Sequence, residues 1–290
     1  MIQYRALGRS DLQVSSIGMG CVTFGREIDR ETSFHVLDHA LESGITLFDT
    51  AEAYGGGASE LLLGEWMTER RVRDQVVLAT KVSGRLSRQR VISSAEESLR
   101  RLQADQIDLF QLHIWDEETP LEETLSALTE LVQQGKVRHV GCSNWSAEQL
   151  SRARLLADQH GFAPLQSVQP PYNLVERDIE EDLLPLCADQ QIGVLSYSPL
   201  AAGFLTGKYR RGQPIPAGTR FDIIPDHQLI YCTDHGFETL ERLEKDSEKS
   251  SCSMVQLALA WVMSQSNITS VLIGARNTSQ VDQALEAAGR

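Results

Sequence analysis

Four side chains of unlike chemistry stand at or just beyond the ends of short apolar runs. Asp49 closes TLFD, and Tyr54 follows in a glycine-rich loop, AEAYGGGASE. Lys81 closes VVLATK and His113 closes DLFQLH. A free tyrosine has a pKa of about 10, too high for efficient proton transfer near neutrality. A neighbouring ammonium favours phenolate and lowers that value, and Lys81 carries such a charge. A lysine turned into a protein interior tends to lose its proton, which Asp49 opposes by pairing with it. A histidine can donate a hydrogen bond to a carbonyl oxygen and orient it. The four groups thus form a proton donor, its tuner, the tuner's counter-ion and a polariser. They suit protonation of a carbonyl oxygen while a hydride reaches the carbon. Each residue also has a plainer reading: turn or helix cap for Asp49, packed aromatic for Tyr54, structural histidine for His113. Lys81 alone reads as an exposed lysine or as the Schiff-base lysine of a barrel aldolase. The set matters only if the fold gathers it.

The elements that must do so are legible as an alternation. Strands are expected at Ser16–Met19, Thr46–Phe48, Val76–Thr80, Ile107–Leu112, Val137–Gly141, Leu165–Val168, Val194–Ser196 and Ser270–Ile273. Several are apolar nearly throughout, as strands covered on both faces should be. Helical faces lie between them: Phe34, Leu37 and Leu41; Val91, Ala95, Leu99 and Leu102; Leu121, Leu125, Leu128 and Val132; Ile179, Leu183, Leu186 and Cys187. The first seven strand ends recur about 30 residues apart, the length of one β-α unit. The last interval is longer. It holds a Gly/Pro-rich loop over 201–235 and helical patterns over 237–249 and 253–264. The opening YRALGRSDLQVSSIG reads as a hairpin turning at Gly8–Asp11. These features predict an α/β fold: a (β/α)8 TIM barrel, one domain over 1–290, with an N-terminal β-hairpin and two extra helical segments between strands seven and eight. A doubly wound sheet is the rival, but the Gly18-Met-Gly20 stretch does not complete its G-x-G-x-x-G turn.

In such a barrel, chemistry gathers at the C-terminal strand ends. Besides the four groups above, those ends carry Ser143 and Asn144, Gln169, Tyr197 and Ser198, then Gly274 and Arg276.

Composition narrows the partners. The chain has 290 residues, 27 basic against 40 acidic side chains, and a formal net charge of −13. That argues against broad binding to nucleic acid or an anionic membrane surface, while leaving room for a local basic pocket. No apolar run reaches the length of a membrane helix, and no signal peptide is evident, so a cytoplasmic location is expected. Five cysteines without C-x-x-C spacing read as thiols in a reducing compartment, and no metal site is expected. The oligomeric state stays open, a homo-oligomer included.

The segments FDTAEAYG, LATK, QLHIWD, GCSNWS, VQPPYN, YSPLAAGFLTGKY and IGARNTSQV, in this order, resemble the aldo-keto reductase superfamily over nearly the whole chain. The nearest subgroup is the bacterial members similar to potassium-channel β subunits. The resemblance implies NADPH-dependent reduction of a small carbonyl compound, with Tyr54 as general acid and Asp49, Lys81 and His113 completing the tetrad. It implies that Ser143, Asn144 and Gln169 hold the nicotinamide carboxamide and that Tyr197 stacks on the ring. Ser198, Leu200 and Lys208 would meet the pyrophosphate, with Arg220 nearby. Gly274 would allow close backbone approach, and Arg276 with the helix start at Thr278 would receive the 2′-phosphate. Gln280 and Gln283 would lie near the adenosine. Trp115, Phe24 and Trp145 either line the substrate site or pack beside it. Ala202 and Ala284 depart from the arginine and asparagine common in relatives, which bears on the adenine side. The sequence runs only to Arg290 after Gly274, so a pocket that is open, or completed by a neighbouring subunit, is expected. A cofactor-binding regulatory subunit is the alternative role.

Overall fold

The computed structural model describes residues 2–288. The chain opens with an antiparallel hairpin, β1 (Tyr4–Ala6) and β2 (Gln13–Ser15). Eight parallel strands follow: β3 (Ile17–Gly20), β4 (Leu47–Asp49), β5 (Val77–Val82), β6 (Ile107–Leu112), β7 (Val137–Ser143), β8 (Leu165–Gln169), β9 (Gly193–Ser196) and β10 (Ser270–Ile273). They pair in sequence order and close, β10 against β3, into the expected (β/α)8 barrel. The connecting helices are α1 (Arg30–Glu42), α2 (Ala58–Arg70), α3 (Arg88–Leu102), α4 (Leu121–Gln133), α5 (Ala147–His160) and α6 (Leu183–Gln190). The starts of α1, α3 and α5 are side-chain capped. The Asp29 carboxylate accepts from the Thr32 N–H, and Ser146 and Gln149 form a reciprocal capping box.

Side-chain parity along the strands explains why the barrel holds. Phe48, Leu78, Phe110, Val168, Val194 and Val271 join the main core with helix residues such as Leu37, Leu63, Val91 and Leu125. The alternate positions turn inward. Leu47, Ala79, Leu109, Leu195 and Leu272 form a separate apolar layer. Leu7, Leu12 and Val14 of the hairpin belong to this same layer, so the hairpin plugs the N-terminal end of the barrel. Its turn demands glycine: Gly8 has φ +60°, and a Cβ there would lie 2.3 Å from the Gln166 carbonyl oxygen.

Between β9 and β10 the two expected long helices appear as α9 (Asp234–Lys249) and α10 (Met254–Met263). The loop before them is more ordered than its glycines and prolines suggest. It contains a 3₁₀ turn at Ala201–Thr206 and two short helices, α7 (Arg220–Ile223) and α8 (His227–Tyr231). The cause is a second small core of Phe204, Tyr209, Phe221, Tyr231, Leu240, Leu243 and Ala258. Tyr209 and Phe221 stack with centroids 4.0 Å apart. Aromatic packing, with no periodic pattern, folds this excursion. The chain then crosses β10 into α11 (Thr278–Ala288). Among the described residues no helix is long and apolar enough to cross a membrane.

Candidate active site

On four of the strands a polar side chain lies two residues beyond an inward-facing position of the layer below. Leu47 is followed by Asp49, Ala79 by Lys81, Leu109 by Gln111 and then His113, and Ser167 by Gln169. The polar layer thus crowns the apolar layer at the C-terminal mouth. Strand register sets Lys81 level with Gln111 and Ser143 with Gln169, while Asp49, level with Ala79, lies one step below Lys81 and Gln111, which reach down to it.

Lys81 is fully buried and Asp49 is 2% exposed. The Lys81 ammonium donates to three acceptors: Asp49 Oδ2 at 2.5 Å, the Thr50 carbonyl at 2.8 Å and the Tyr54 hydroxyl oxygen at 3.3 Å. All three of its protons are therefore used. Asp49 Oδ1 accepts from Gln111 Nε2 and Gln169 Nε2, each at 3.0 Å. Burial works to deprotonate Lys81, but the charge of Asp49, and the Tyr54 phenol after it, outweigh it and raise its pKa.

Tyr54 opens a 3₁₀ turn in the loop that follows β4. Here the structure corrects a sequence expectation. Burial raises the phenol's pKa above its ordinary value, and the opposing charge of Lys81 does not overcome it. The His113 ring meets Tyr54 edge-on at 5.8 Å between centroids. Burial first, then the Lys81 charge, lower the His113 pKa to about 4, so the imidazole is neutral near pH 7. Its Nδ1 lies 2.9 Å from Ser83 Oγ. A held phenol, a buried ammonium behind it and a neutral imidazole beside it can together deliver a proton and polarise an oxygen.

The next strand ends form a connected rim. Ser143 Oγ donates to the Gln169 carbonyl at 2.8 Å. Asn144 Nδ2 donates to the His113 carbonyl at 2.9 Å, and its Oδ1 accepts from the Tyr197 hydroxyl at 2.8 Å. Backbone strain concentrates here. Among the described residues seven non-glycine residues have positive φ: Arg71, Gln103 and Gln191 are helix C-caps, and Asn144, Ser198, Ala201 and Ala202 lie beyond the C-terminal ends of β7 and β9. Such conformations cost about 1 kcal/mol or more each and cluster where function fixes the backbone. Ser198 is steadied by Asn173 Nδ2, which donates to its carbonyl at 3.2 Å.

Further round, cations gather. Arg220 is placed by the buried Phe221 next to it, and Arg276 lies just before α11. Glu27, in the loop after β3, bridges them: Arg220 Nη1 donates to its Oε1 at 2.9 Å, and Arg276 pairs with its Oε2. Burial lowers the pKa of Arg220, with Arg26 and Arg276 as nearby like charges, although Glu27 opposes this. Burial and Arg276 likewise lower that of Lys208. Gln280 Oε1 accepts from the Arg276 backbone N–H at 2.8 Å. A Cβ at Gly274 would meet nothing within 4 Å, which leaves open space beside the cations. These features fit an anionic, elongated ligand along the rim. Leu200 is half-buried and Gln283 is exposed.

Other placements are less central. Phe24 is wholly buried in the main core, and Trp145 is 3% exposed. Half-buried Trp115 packs edge-on against Trp145 at 4.7 Å. Ala284 is buried at 1% exposure, so its side chain faces the core. Among the described residues no group of three His, Cys, Asp or Glu could hold a metal ion.

Four residues of the site escaped the sequence reading. Gln111 had a signal, since it shares inward parity with His113. Ser83 shares parity with Lys81. Glu52, which accepts from the Ser83 N–H at 2.7 Å, and Glu27 had none, because their partners are distant in sequence.

The sequence profile of the Aldo/keto reductase family matches residues 16–289. The chain belongs to this family. As an aldo/keto reductase it is similar to aldo-keto reductase YhdN of Bacillus subtilis (strain 168), 35% identical over 99% of this chain and 89% of the relative. The uncharacterized oxidoreductase YrpG of the same organism is 34% identical over 99% and 91%. A probable voltage-gated potassium channel subunit beta of Arabidopsis thaliana is 33% identical over 99% and 91%. Membership supports a carbonyl oxidoreductase with a nicotinamide cofactor.

Proposed function

We propose that the protein is an NADPH-dependent reductase of aldehydes or ketones in which Tyr54 protonates the carbonyl oxygen. The observation that carries this reading is the Tyr54 hydroxyl 3.3 Å from the buried Lys81 ammonium, beside a neutral His113. Lys81 donates to the phenol oxygen, which leaves the phenol's own proton free to face the substrate. Burial raises the phenol's pKa and so opposes proton release, while the adjacent Lys81 charge acts the other way and favours the phenolate that transfer would leave. As the proton leaves, the phenolate stays beside Lys81, whose charge Asp49 in turn secures. His113, neutral, donates a hydrogen bond to the same carbonyl oxygen.

Bound NADPH would supply the hydride to the carbonyl carbon. Ser143, Asn144 and Gln169 would hold its carboxamide, and Tyr197 its ring. Ser198, Leu200 and Lys208 would meet the pyrophosphate, with Gly274 leaving room for the backbone approach. Arg276 and the start of α11 would take the 2′-phosphate, with Arg220, which Glu27 ties to Arg276, between it and the pyrophosphate, and Gln280 and Gln283 would lie toward the adenosine. Half-buried Trp115 would line the substrate pocket, with buried Trp145 packed behind it.

The test is steady-state NADPH oxidation with a panel of small aldehydes and ketones. Tyr54→Phe should lower turnover about 100-fold or more and leave the NADPH dissociation constant nearly unchanged. A fully active Y54F protein would remove Tyr54 from this role. A second reading, a cofactor-binding regulatory subunit, draws on the likeness to the plant channel subunit. It predicts NADPH binding with negligible turnover on every carbonyl tried.

A further inference from the structure

We infer that Ser83 is a positioning residue that fixes the ring and tautomer of His113, so that Nε2 carries the proton offered to the carbonyl oxygen. The inference rests on the proposed reading for what Nε2 faces, but its structural basis is separate.

Ser83 is the first residue beyond β5, with the same inward parity as Lys81. The β5–β6 ladder runs one residue past the strands, because the His113 N–H donates to the Val82 carbonyl at 2.9 Å. Ser83 and His113 are thereby set side by side, and Ser83 Oγ lies 2.9 Å from His113 Nδ1. Among the described residues that nitrogen is the hydroxyl's one partner. A bond in the opposite sense, from Nδ1–H to Oγ, would leave the hydroxyl proton without a protein acceptor. The ring is neutral near pH 7, so it has one lone pair to receive the hydroxyl and one N–H to donate. With Nδ1 accepting, the N–H is on Nε2, which has no protein partner among the described residues.

Ser83 is itself anchored. Its backbone N–H donates to Glu52 Oε1 at 2.7 Å, while Glu52 Oε2 accepts from Ser94 Oγ at 2.6 Å. The Arg90 guanidinium also pairs with Glu52. Asn144 separately holds the His113 carbonyl. Both the ring and the main chain of His113 are therefore restrained, as a preorganised donor requires.

Full-length protein labelled with ¹⁵N-histidine tests this by long-range ¹H–¹⁵N spectra near neutral pH, with the His113 signals assigned by difference from His113→Gln. The wild type should show Nε2 protonated and Nδ1 as a hydrogen-bonded acceptor. Ser83→Ala should lose the hydrogen-bonded Nδ1 signature, average the tautomers and lower kcat about 10- to 100-fold at unchanged NADPH affinity. Ser83→Thr should restore both. A wild-type spectrum with Nδ1 protonated overturns the inference even if S83A does not fold. So does an S83A protein with wild-type spectrum and turnover. Wild-type protein inactive on every carbonyl would count against the reductase reading, while the spectra would still decide the tautomer.

Discussion

Lys81 Nζ lies 2.5 Å from Asp49 Oδ2, with the lysine side chain sealed from solvent and the aspartate 2% exposed. Neither charge has water to fall back on. Removing one leaves the other buried and uncompensated, at a cost of about 3–5 kcal/mol. Asp49→Ala should therefore unfold at markedly lower urea than the wild type. Pairing it with Lys81→Met should recover the part due to the unpaired ammonium but not the part due to Gln111 and Gln169, whose buried amides lose their acceptor. Neither protein should turn over substrate. Equal urea midpoints for D49A and the wild type would show that the charges are not coupled to folding.

Glu27 pairs with Arg276, which in the proposed reading receives the 2′-phosphate of NADPH, and with the neighbouring Arg220. Glu27→Gln removes the competing carboxylate from Arg220 and Arg276. NADPH should then bind roughly tenfold more tightly, with NADH little affected, because only NADPH carries that phosphate. Fluorescence titration with both cofactors reads the ratio. An unchanged ratio would place the 2′-phosphate elsewhere.

His113 sets a pH signature. Its pKa falls from an ordinary 6.5 to about 4 in the fold. Between those values the unfolded chain takes up a proton that the folded chain refuses, so stability falls as pH drops through this window. Above about 6.5 the effect is absent, and below about 4 it is complete. Urea unfolding at several pH values should show a shallower acid loss in His113→Gln. An identical slope would mean that the imidazole titrates normally when folded.

Gly64, midway along α2, touches the backbone of α3. A Cβ there would lie 2.5 Å from the Arg101 carbonyl oxygen and 2.6 Å from the Leu102 carbonyl carbon. Alanine gains up to about 1 kcal/mol of helix propensity over glycine. Pushing two helices apart costs about 1–3 kcal/mol. Gly64→Ala should thus lower the melting temperature, against the trend for exposed helix positions. A rise would show that α2 and α3 separate freely.

The sequence alone determined the barrel. Alternating runs at steady intervals named all eight strands within a few residues of their observed ends, because strands buried on both faces must be apolar nearly throughout. It also determined which polar residues close those strands, since parity and strand ends are local properties. The aromatic core that folds 201–231 was not legible, because Phe204, Tyr209, Phe221 and Tyr231 recur with no helical or strand period. Nor was the bridge from Glu27 to Arg220 and Arg276, whose members become neighbours only when the barrel closes. The direction of the Tyr54 shift was decided the same way. A nearby ammonium predicts a lower pKa, but desolvation outweighs it, and how far a phenol is withdrawn from water depends on everything packed around it.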